Sequence, residues 1–266
     1  MQARVLGREV GLPHNEVERL LQLVTGLGRA DVMSATLDEG QRARFEELAH
    51  RRLSGEPLQY LEGTVPFGPI EVMVDRRVLI PRPETEHLWE LSVQAAKYPH
   101  IVVDLCTGSG NLALALKHRF PWARVLGTDI SSDALEVARA NASRLRLDVE
   151  LLEGDLFDPL PVSIRGRVDL VVANPPYVAE WEVADLPVEV RDYEPRQALV
   201  AGPRGDEVLS RIAEAAADWL APGGLLLCEI GETQGDRALQ LFGSTLEVEI
   251  RVDLAGKTRY VVTRRP

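Results

Sequence analysis

The apolar residues Val17, Leu20, Leu21 and Val24 recur at helical spacing among polar neighbours, which predicts an amphipathic helix that Gly26 ends. Asn15 and Glu18 have the spacing of a capping box at its start. A second amphipathic segment follows Thr36, with Phe45, Leu48, Ala49 and Leu53 on its apolar face, and Ser54-Gly55-Glu56-Pro57 breaks it. Residues 1–58 therefore read as a small helical domain. From Gln59 to Ile80 the period changes to two. Ile70, Val72 and Val74 alternate with polar neighbours while Gly63, Pro66, Gly68 and Pro69 supply turns, which predicts a β-hairpin linker over 59–82.

Beyond the linker, strand-like apolar runs alternate with helical stretches. Strands are expected at 101–105, 124–128, 149–152, 168–173 and 225–230, and helices at 112–118, 133–142, 207–220 and 232–241. This order predicts an α/β domain over 83–266, with a mostly parallel sheet joined by right-handed helical crossovers. The runs 246–252 and 260–263, separated by Asp253-Leu254-Ala255-Gly256-Lys257, read as an antiparallel hairpin at the C-terminal end of that sheet.

With 266 residues, 45% of them hydrophobic and 27% charged, the chain is long enough to bury a full core, and fibrous or disordered classes are excluded. Thirty basic against 41 acidic residues give a net charge of −11, which disfavours a protein that tracks a phosphate backbone but leaves room for a local basic groove. The two cysteines, Cys106 and Cys228, lie in apolar runs and make neither a disulfide framework nor a four-ligand metal site. The five histidines show no metal-ligand spacing, so no metal is expected. No uninterrupted apolar run reaches membrane-spanning length, and the first residues lack the apolar block of a signal peptide. The expectation is a soluble cytoplasmic protein without a membrane partner.

Chemistry enters at the strand ends. Asp104-Leu105-Cys106-Thr107-Gly108-Ser109-Gly110 closes the first strand of the α/β domain, where glycines let the backbone turn tightly and approach a ligand beside the next helix. Asp129 ends the following strand, where an acidic side chain can accept hydrogen bonds from both hydroxyls of a ribose. An adenosine-containing cofactor follows, although the run Gly108 to Ala113 also satisfies the dinucleotide pattern. Glu153-Gly154-Asp155-Leu156-Phe157-Asp158 follows the third strand, and there Asp155 can reach an adenine amine while Leu156 covers the ring; an Asp-rich turn is the plain alternative. After the fourth strand comes Asn174-Pro175-Pro176-Tyr177. Each proline fixes its φ and restrains the residue before it, so the carbonyls of Asn174 and Pro175 are held in set directions. Asn174 adds a side-chain acceptor and Tyr177 a flat face. Stiff acceptors beside an aromatic plate suit a planar NH₂ group, either an amide or an exocyclic base amine. Such nitrogens are poor nucleophiles, and orientation rather than a strong base drives their reaction.

The Asp-x-Cys-x-Gly-x-Gly loop, Asp129 and Asn174-Pro175-Pro176-Tyr177 resemble the Rossmann-like class I S-adenosylmethionine-dependent methyltransferases that methylate planar nitrogens. Leu79-Ile80-Pro81-Arg82-Pro83-Glu84-Thr85-Glu86, preceded by Gly55-Glu56-Pro57-Leu58-Gln59-Tyr60 and a helical head, resembles the bacterial peptide-chain release factor N5-glutamine methyltransferases over essentially the whole chain. The resemblance implies transfer of a methyl group from S-adenosylmethionine to the amide nitrogen of the glutamine in the Gly-Gly-Gln loop of class I release factors. It implies that Asn174 and the Pro175 carbonyl hold the glutamine amide within the Asn174-Pro175-Pro176-Tyr177 loop, with Tyr177 packing beside it. Cys106, Thr107, Gly108, Ser109 and Gly110 would wrap the methionine part of the cofactor, Asp129 would take the ribose, and Asp155 with Leu156 would border the adenine. Thr85 is a further member of the cofactor wall, while Pro81, Arg82 and Pro83 either line that wall or set the angle between linker and catalytic domain. The helical head is expected to recognise the partner protein. The chain departs from the family's pattern at Cys106, which stands where the usual first glycine of the loop would be. An adenine N6 or guanine N2 methyltransferase of nucleic acid is the runner-up, because it would use the same loop, and the net charge speaks against it.

Overall fold

The computed structural model describes residues 10–266; positions 1–9, part of the expected helical domain, lie outside the described residues. The chain divides into two compact units, one containing the described residues up to Thr64 together with Pro187–Tyr193, the other containing Val65–Leu186 and Glu194–Pro266.

In the first unit, helix α1 (His14–Thr25) is entered through Pro13, whose carbonyl accepts the Val17 N–H at 3.0 Å. Asn15 therefore lies inside the first turn, and the expected capping box with Glu18 does not form. Gly26 ends the helix in a left-handed conformation, φ 70°. After a single turn at Arg29–Val32, helix α2 (Glu39–Leu53) begins at a true capping box. Asp38 Oδ1 accepts the Gln41 N–H at 2.8 Å and Gln41 Oε1 accepts the Asp38 N–H at 3.1 Å. Helix α3 (Leu58–Glu62) occupies part of the segment expected as hairpin. Leu58 and Leu61, three apart, both reach the core of this unit alongside Leu20, Leu21, Phe45 and Leu48, so burial on one helical face overrides the reading of period two there.

The return of Pro187–Tyr193 to this unit has an electrostatic anchor. Arg52, with a side chain only 13% exposed, donates to Glu16 at 2.7 Å and to Glu189 of the short helix Val188–Tyr193 at 2.6 Å. Its Nη1 also donates to the Glu56 carbonyl, and the Tyr193 hydroxyl donates to the Ser54 carbonyl at 2.8 Å.

The second unit opens with a two-stranded sheet, β1 (Thr64–Phe67) and β2 (Ile70–Met73), turned at Gly68-Pro69. Ile70, Val72 and Val74 are buried, as their alternation predicts. Helix α4 (Pro83–Ala95) follows, with Pro83 in its first turn where a missing N–H costs nothing. Then come β3 (Ile101–Leu105), α5 (Asn111–Arg119), β4 (Arg124–Asp129), α6 (Ser132–Leu145), β5 (Glu150–Glu153) and β6 (Val168–Ala173). A short parallel pair, β7 (Val178–Ala179) with β8 (Val200–Gly202), precedes α7 (Glu207–Trp219), β9 (Leu220–Glu229), α8 (Gly235–Phe242), β10 (Glu247–Val252) and β11 (Thr258–Arg264). The main sheet runs β10-β11-β9-β6-β3-β4-β5, parallel except for antiparallel β11 and its pairing with β10. This is the α/β, mostly parallel sheet with a C-terminal antiparallel hairpin that the sequence predicts. The central strands are buried on both faces, which is why Val102, Val103 and Leu170 to Ala173 read as continuous apolar runs. Among the described residues no helix is long and apolar enough to cross a membrane.

Replacing Arg52 with Ala would leave Glu16 and Glu189 without their shared cation. The expected result is a loss of about 1–3 kcal/mol and faster amide exchange over 187–193, read by hydrogen–deuterium exchange; unchanged exchange there would mean the ion pairs do not hold the segment.

Candidate active site

Strand order fixes where the site forms. The chain moves outward from β3 to β4 and β5, then returns to the other side of β3 to lay down β6, so the order reverses between β3 and β6. Connections leaving these neighbours depart to opposite sides and open a crevice at their carboxyl ends. Leu105 pairs with Ala173, and Ala173 with Cys228. The next residues of the three strands, Cys106, Asn174 and Glu229, therefore come side by side at that edge. Leu105 also pairs with Thr128, which brings Asp129 into the same row.

The loop after β3 is held from below. Asp104, 1% exposed, accepts the Thr107 hydroxyl at 2.5 Å and the Ala113 N–H at 3.0 Å on Oδ2, while Oδ1 has no partner. Burial, with the Asp129 charge adding to it, raises the Asp104 pKa to about 7 against these two donors. Thr107 N–H reaches the Thr128 carbonyl at 2.9 Å, drawing the loop across β4. The approach is close enough that a Cβ on Gly127 would come within 2.9 Å of Thr107 Oγ1, so β4 needs glycine there. Asp129 is itself locked, because Oδ2 accepts the Gly108 N–H at 2.8 Å and Oδ1 the Ser131 N–H at 2.9 Å. Each oxygen retains capacity for a further donor, as a pair of ribose hydroxyls would require. Burial raises the Asp129 pKa, and these N–H groups oppose the shift. Asn141 of α6, fully buried, braces the loop from behind; its Nδ2 donates to the carbonyls of Ser109 at 2.9 Å and Met73 at 3.0 Å, and its Oδ1 accepts the Met73 N–H at 2.7 Å.

Two residues with side chains take left-handed backbone at the cavity: Cys106, φ 57°, and Leu156, φ 50°. The position that departs from the family's glycine pattern is thus one where glycine is favoured on conformational grounds. Burial and the carboxylates of Asp129, Asp104 and Asp155 push the Cys106 thiol well above its ordinary range. It is held protonated, and a protonated thiol is a poor nucleophile.

On the acceptor side, Asn174 Nδ2 donates to Thr85 Oγ1 at 2.9 Å, and Thr85 Oγ1 donates to Glu229 Oε2 at 2.8 Å. The Tyr177 hydroxyl lies 3.5 Å from Glu229 Oε1. Thr85 and Glu229 are each 2% exposed. Burial raises the Glu229 pKa to about 7 and also raises that of Tyr177.

A single cavity wall includes Thr85, Cys106, Thr107, Gly108, Ser109, Asp129, Asp155, Leu156, Asn174 and Pro176. Gly110, Pro175 and Tyr177 are not on that wall. Gly110 instead caps α5 with φ 80°, Pro175 is buried, and Tyr177 turns its hydroxyl towards Glu229. Asp155 is not free to serve adenine alone, since Arg211 from α7 pairs with it at 2.7 Å. Sequence reasoning missed Arg211 and Glu229. Arg211 sits on a regular helix with nothing local to distinguish it. Glu229 did carry a signal, because an acid closing the apolar run from Leu225 to Cys228 is costly to bury without a purpose.

Cys106→Gly removes the Cβ from a left-handed residue and should leave stability unchanged or raise it by up to about 1 kcal/mol. Affinity for S-adenosylmethionine should be retained. Denaturation midpoints and calorimetric titration check both, and a clear destabilisation would mean that packing of the thiol outweighs the backbone strain.

Comparison with known proteins bears on the same residues. A family model described as "Methyltransferase small domain" matches residues 89–189, and one described as "PrmC N-terminal domain" matches residues 2–63. A release factor glutamine methyltransferase from Mycolicibacterium smegmatis is 41% identical, with 96% of this chain and 92% of that protein covered. One from Koribacter versatilis is 37% identical over the same shares. Among solved structures, the Thermus thermophilus 16S rRNA N2 G1207 methyltransferase in complex with AdoMet and guanosine superposes with a TM-score of 0.55 at 17% identity, covering 76% of this chain and 50% of that one, a likeness of fold. With relatives this similar along nearly its whole length, the chain belongs to the release factor glutamine methyltransferase family.

Proposed function

We propose that this enzyme, an S-adenosylmethionine-dependent protein-(glutamine-N5) methyltransferase acting on release factors, modifies the glutamine of the Gly-Gly-Gln loop in class I release factors. The observation that carries the reading is the fixed Asn174 amide. Its nitrogen is engaged by Thr85 at 2.9 Å, which leaves its oxygen to accept from an incoming NH₂ group. The Pro175 carbonyl, held by the proline that follows, is the second acceptor, and Tyr177 packs beside the amide plane.

The donor wall suits a nucleoside with a cationic tail. Asp129 takes the ribose hydroxyls, Leu156 and Asp155 border the adenine, and Cys106, Thr107, Gly108, Ser109 and Gly110 shape the loop around the methionine portion, with Thr85 closing the wall. The carboxylates of Asp129 and Asp155 on the cavity wall fit a positively charged ligand. When bound, S-adenosylmethionine supplies an electrophilic methyl group. The residues of the chain hold the amide nitrogen in line, keep its two hydrogens paired with acceptors, and exclude water. No side chain needs to act as a strong base, because the nitrogen becomes strongly acidic as the methyl group bonds to it and its proton passes from the accepting oxygens to solvent. Residues 1–58 bind the release factor away from its glutamine loop, residues 59–82 link them to the catalytic domain at 83–266, and the reaction takes place in the cytoplasm.

Incubation with labelled S-adenosylmethionine should label a class I release factor and fail to label its Gly-Gly-Gln to Gly-Gly-Ala variant. Label on bulk RNA instead would transfer the Asn174 loop to a base amine and overturn the reading. Asn174→Ala should lower kcat/KM by the equivalent of about 2–4 kcal/mol with the fold retained by circular dichroism; a near-normal rate would remove Asn174 from the reaction.

A further inference from the structure

A hydroxyl has one proton to give. The Thr85 hydroxyl gives its proton to Glu229 Oε2 at 2.8 Å, so it meets Asn174 only as an acceptor, and the nitrogen branch of the Asn174 amide must face it. The direction of this hydrogen-bond chain therefore decides which end of the Asn174 amide is left for the substrate. Thr85 and Glu229 are each 2% exposed, so water offers no competing partner.

We propose that Glu229 is a positioning residue for methyl transfer: through the Thr85 hydroxyl, its carboxylate orients the Asn174 amide with the oxygen available to accept from the substrate NH₂. This rests on the role given to Asn174 above. A proton on Glu229 Oε2 reverses the chain. Its O–H then donates to Thr85, Thr85 donates to the Asn174 oxygen, and Asn174 presents its own NH₂ to the substrate NH₂, donor against donor.

The groups facing Glu229 come from several elements: Thr85 and Glu84 from α4, Tyr177 from the loop after β6, and Arg259 and Tyr260 from β11, with Cys228 adjacent on its own strand. Burial and Glu84 favour the proton, while the Thr85 hydrogen bond, Arg259 and Tyr177 oppose it, and the balance stands at about 7. The productive direction is thus present above this pH and lost as the pH falls through it. Neither the glutamine amide nor Asn174 titrates in this range; Asp104, whose pKa is also about 7, holds the donor loop, so its acid limb persists in Glu229→Gln whereas that of Glu229 does not.

The test measures kcat on a class I release factor from pH 6 to 8.5, together with calorimetric affinity for S-adenosylmethionine. Wild-type kcat should fall below about pH 7. Glu229→Gln, a neutral isostere that does not titrate, should flatten the fall in kcat between pH 8 and pH 6. Thr85→Val should lower kcat roughly tenfold or more, Thr85→Ser should restore most of it, and Glu229→Gln, which lies off the cavity wall, should keep donor affinity close to wild type. The Thr85 pair decides the matter if Glu229→Gln fails to fold. Glu229→Gln with wild-type kcat and an intact acid limb, full activity in Thr85→Val, or losses confined to donor affinity would each overturn the proposal. A wild-type enzyme that leaves the release factor unlabelled at every pH would overturn the assigned function as well, which separates the two failures.

Discussion

The site depends on one constraint, the register of the parallel sheet. Hydrogen bonding pairs Leu105 with Ala173 and Ala173 with Cys228, so three strands from distant parts of the sequence end level with one another. A slip of one residue in any of them would turn its last side chain to the other face and separate Cys106, Asn174 and Glu229. The register is secured by burial. Val102, Val103, Val171, Val172, Leu226 and Leu227 are each fully enclosed, so a shift would expose apolar area on both faces. Core packing far from the reaction therefore sets side-chain placement where the chemistry occurs.

Much of this was legible in the sequence. The strands at Ile101–Leu105 and Val168–Ala173 stand where the apolar runs put them, because strands buried on both faces leave an uninterrupted signature. The residues that end them stood out because Asn-Pro-Pro-Tyr and a glycine-rich loop have local stereochemistry of their own. Features that rest on distant partners were not legible. The capping of α1 turned on Pro13 rather than Asn15, and α3 took residues that read as strand because Leu58 and Leu61 had a helical core to enter. The helix at Pro83–Ala95 was read only as a motif, although Pro83 marks its first turn. The return of Pro187–Tyr193 to the helical unit depends on Arg52, far away in sequence, and β9 begins at Leu220, earlier than the run from Leu225 suggests.

The two halves of the site use different physics. The half proposed to hold the donor is shaped by backbone: Gly108 and Ser131 N–H groups on Asp129, a left-handed turn at Cys106, and a second at Leu156. The strain stored in these turns is offset by the surrounding packing and by Asn141, whose buried amide is fully hydrogen-bonded to two neighbouring segments. The acceptor half is a dry sequence of side-chain hydrogen bonds, Asn174 to Thr85 to Glu229, in which each proton has one place to go.

Electrostatics unites the halves. Asp104, Asp129 and Asp155 gather at one edge of the sheet; burial first, and the neighbouring carboxylates after it, raise the pKa of Asp104 and of the Cys106 thiol. Arg211 offsets Asp155, while Asp104 and Asp129 share a low-dielectric space in which like charges repel. The proposed cationic donor would relieve that repulsion. Glu229, three strands from β4, lies apart from this cluster, and its hydrogen-bond chain runs through Thr85 to Asn174.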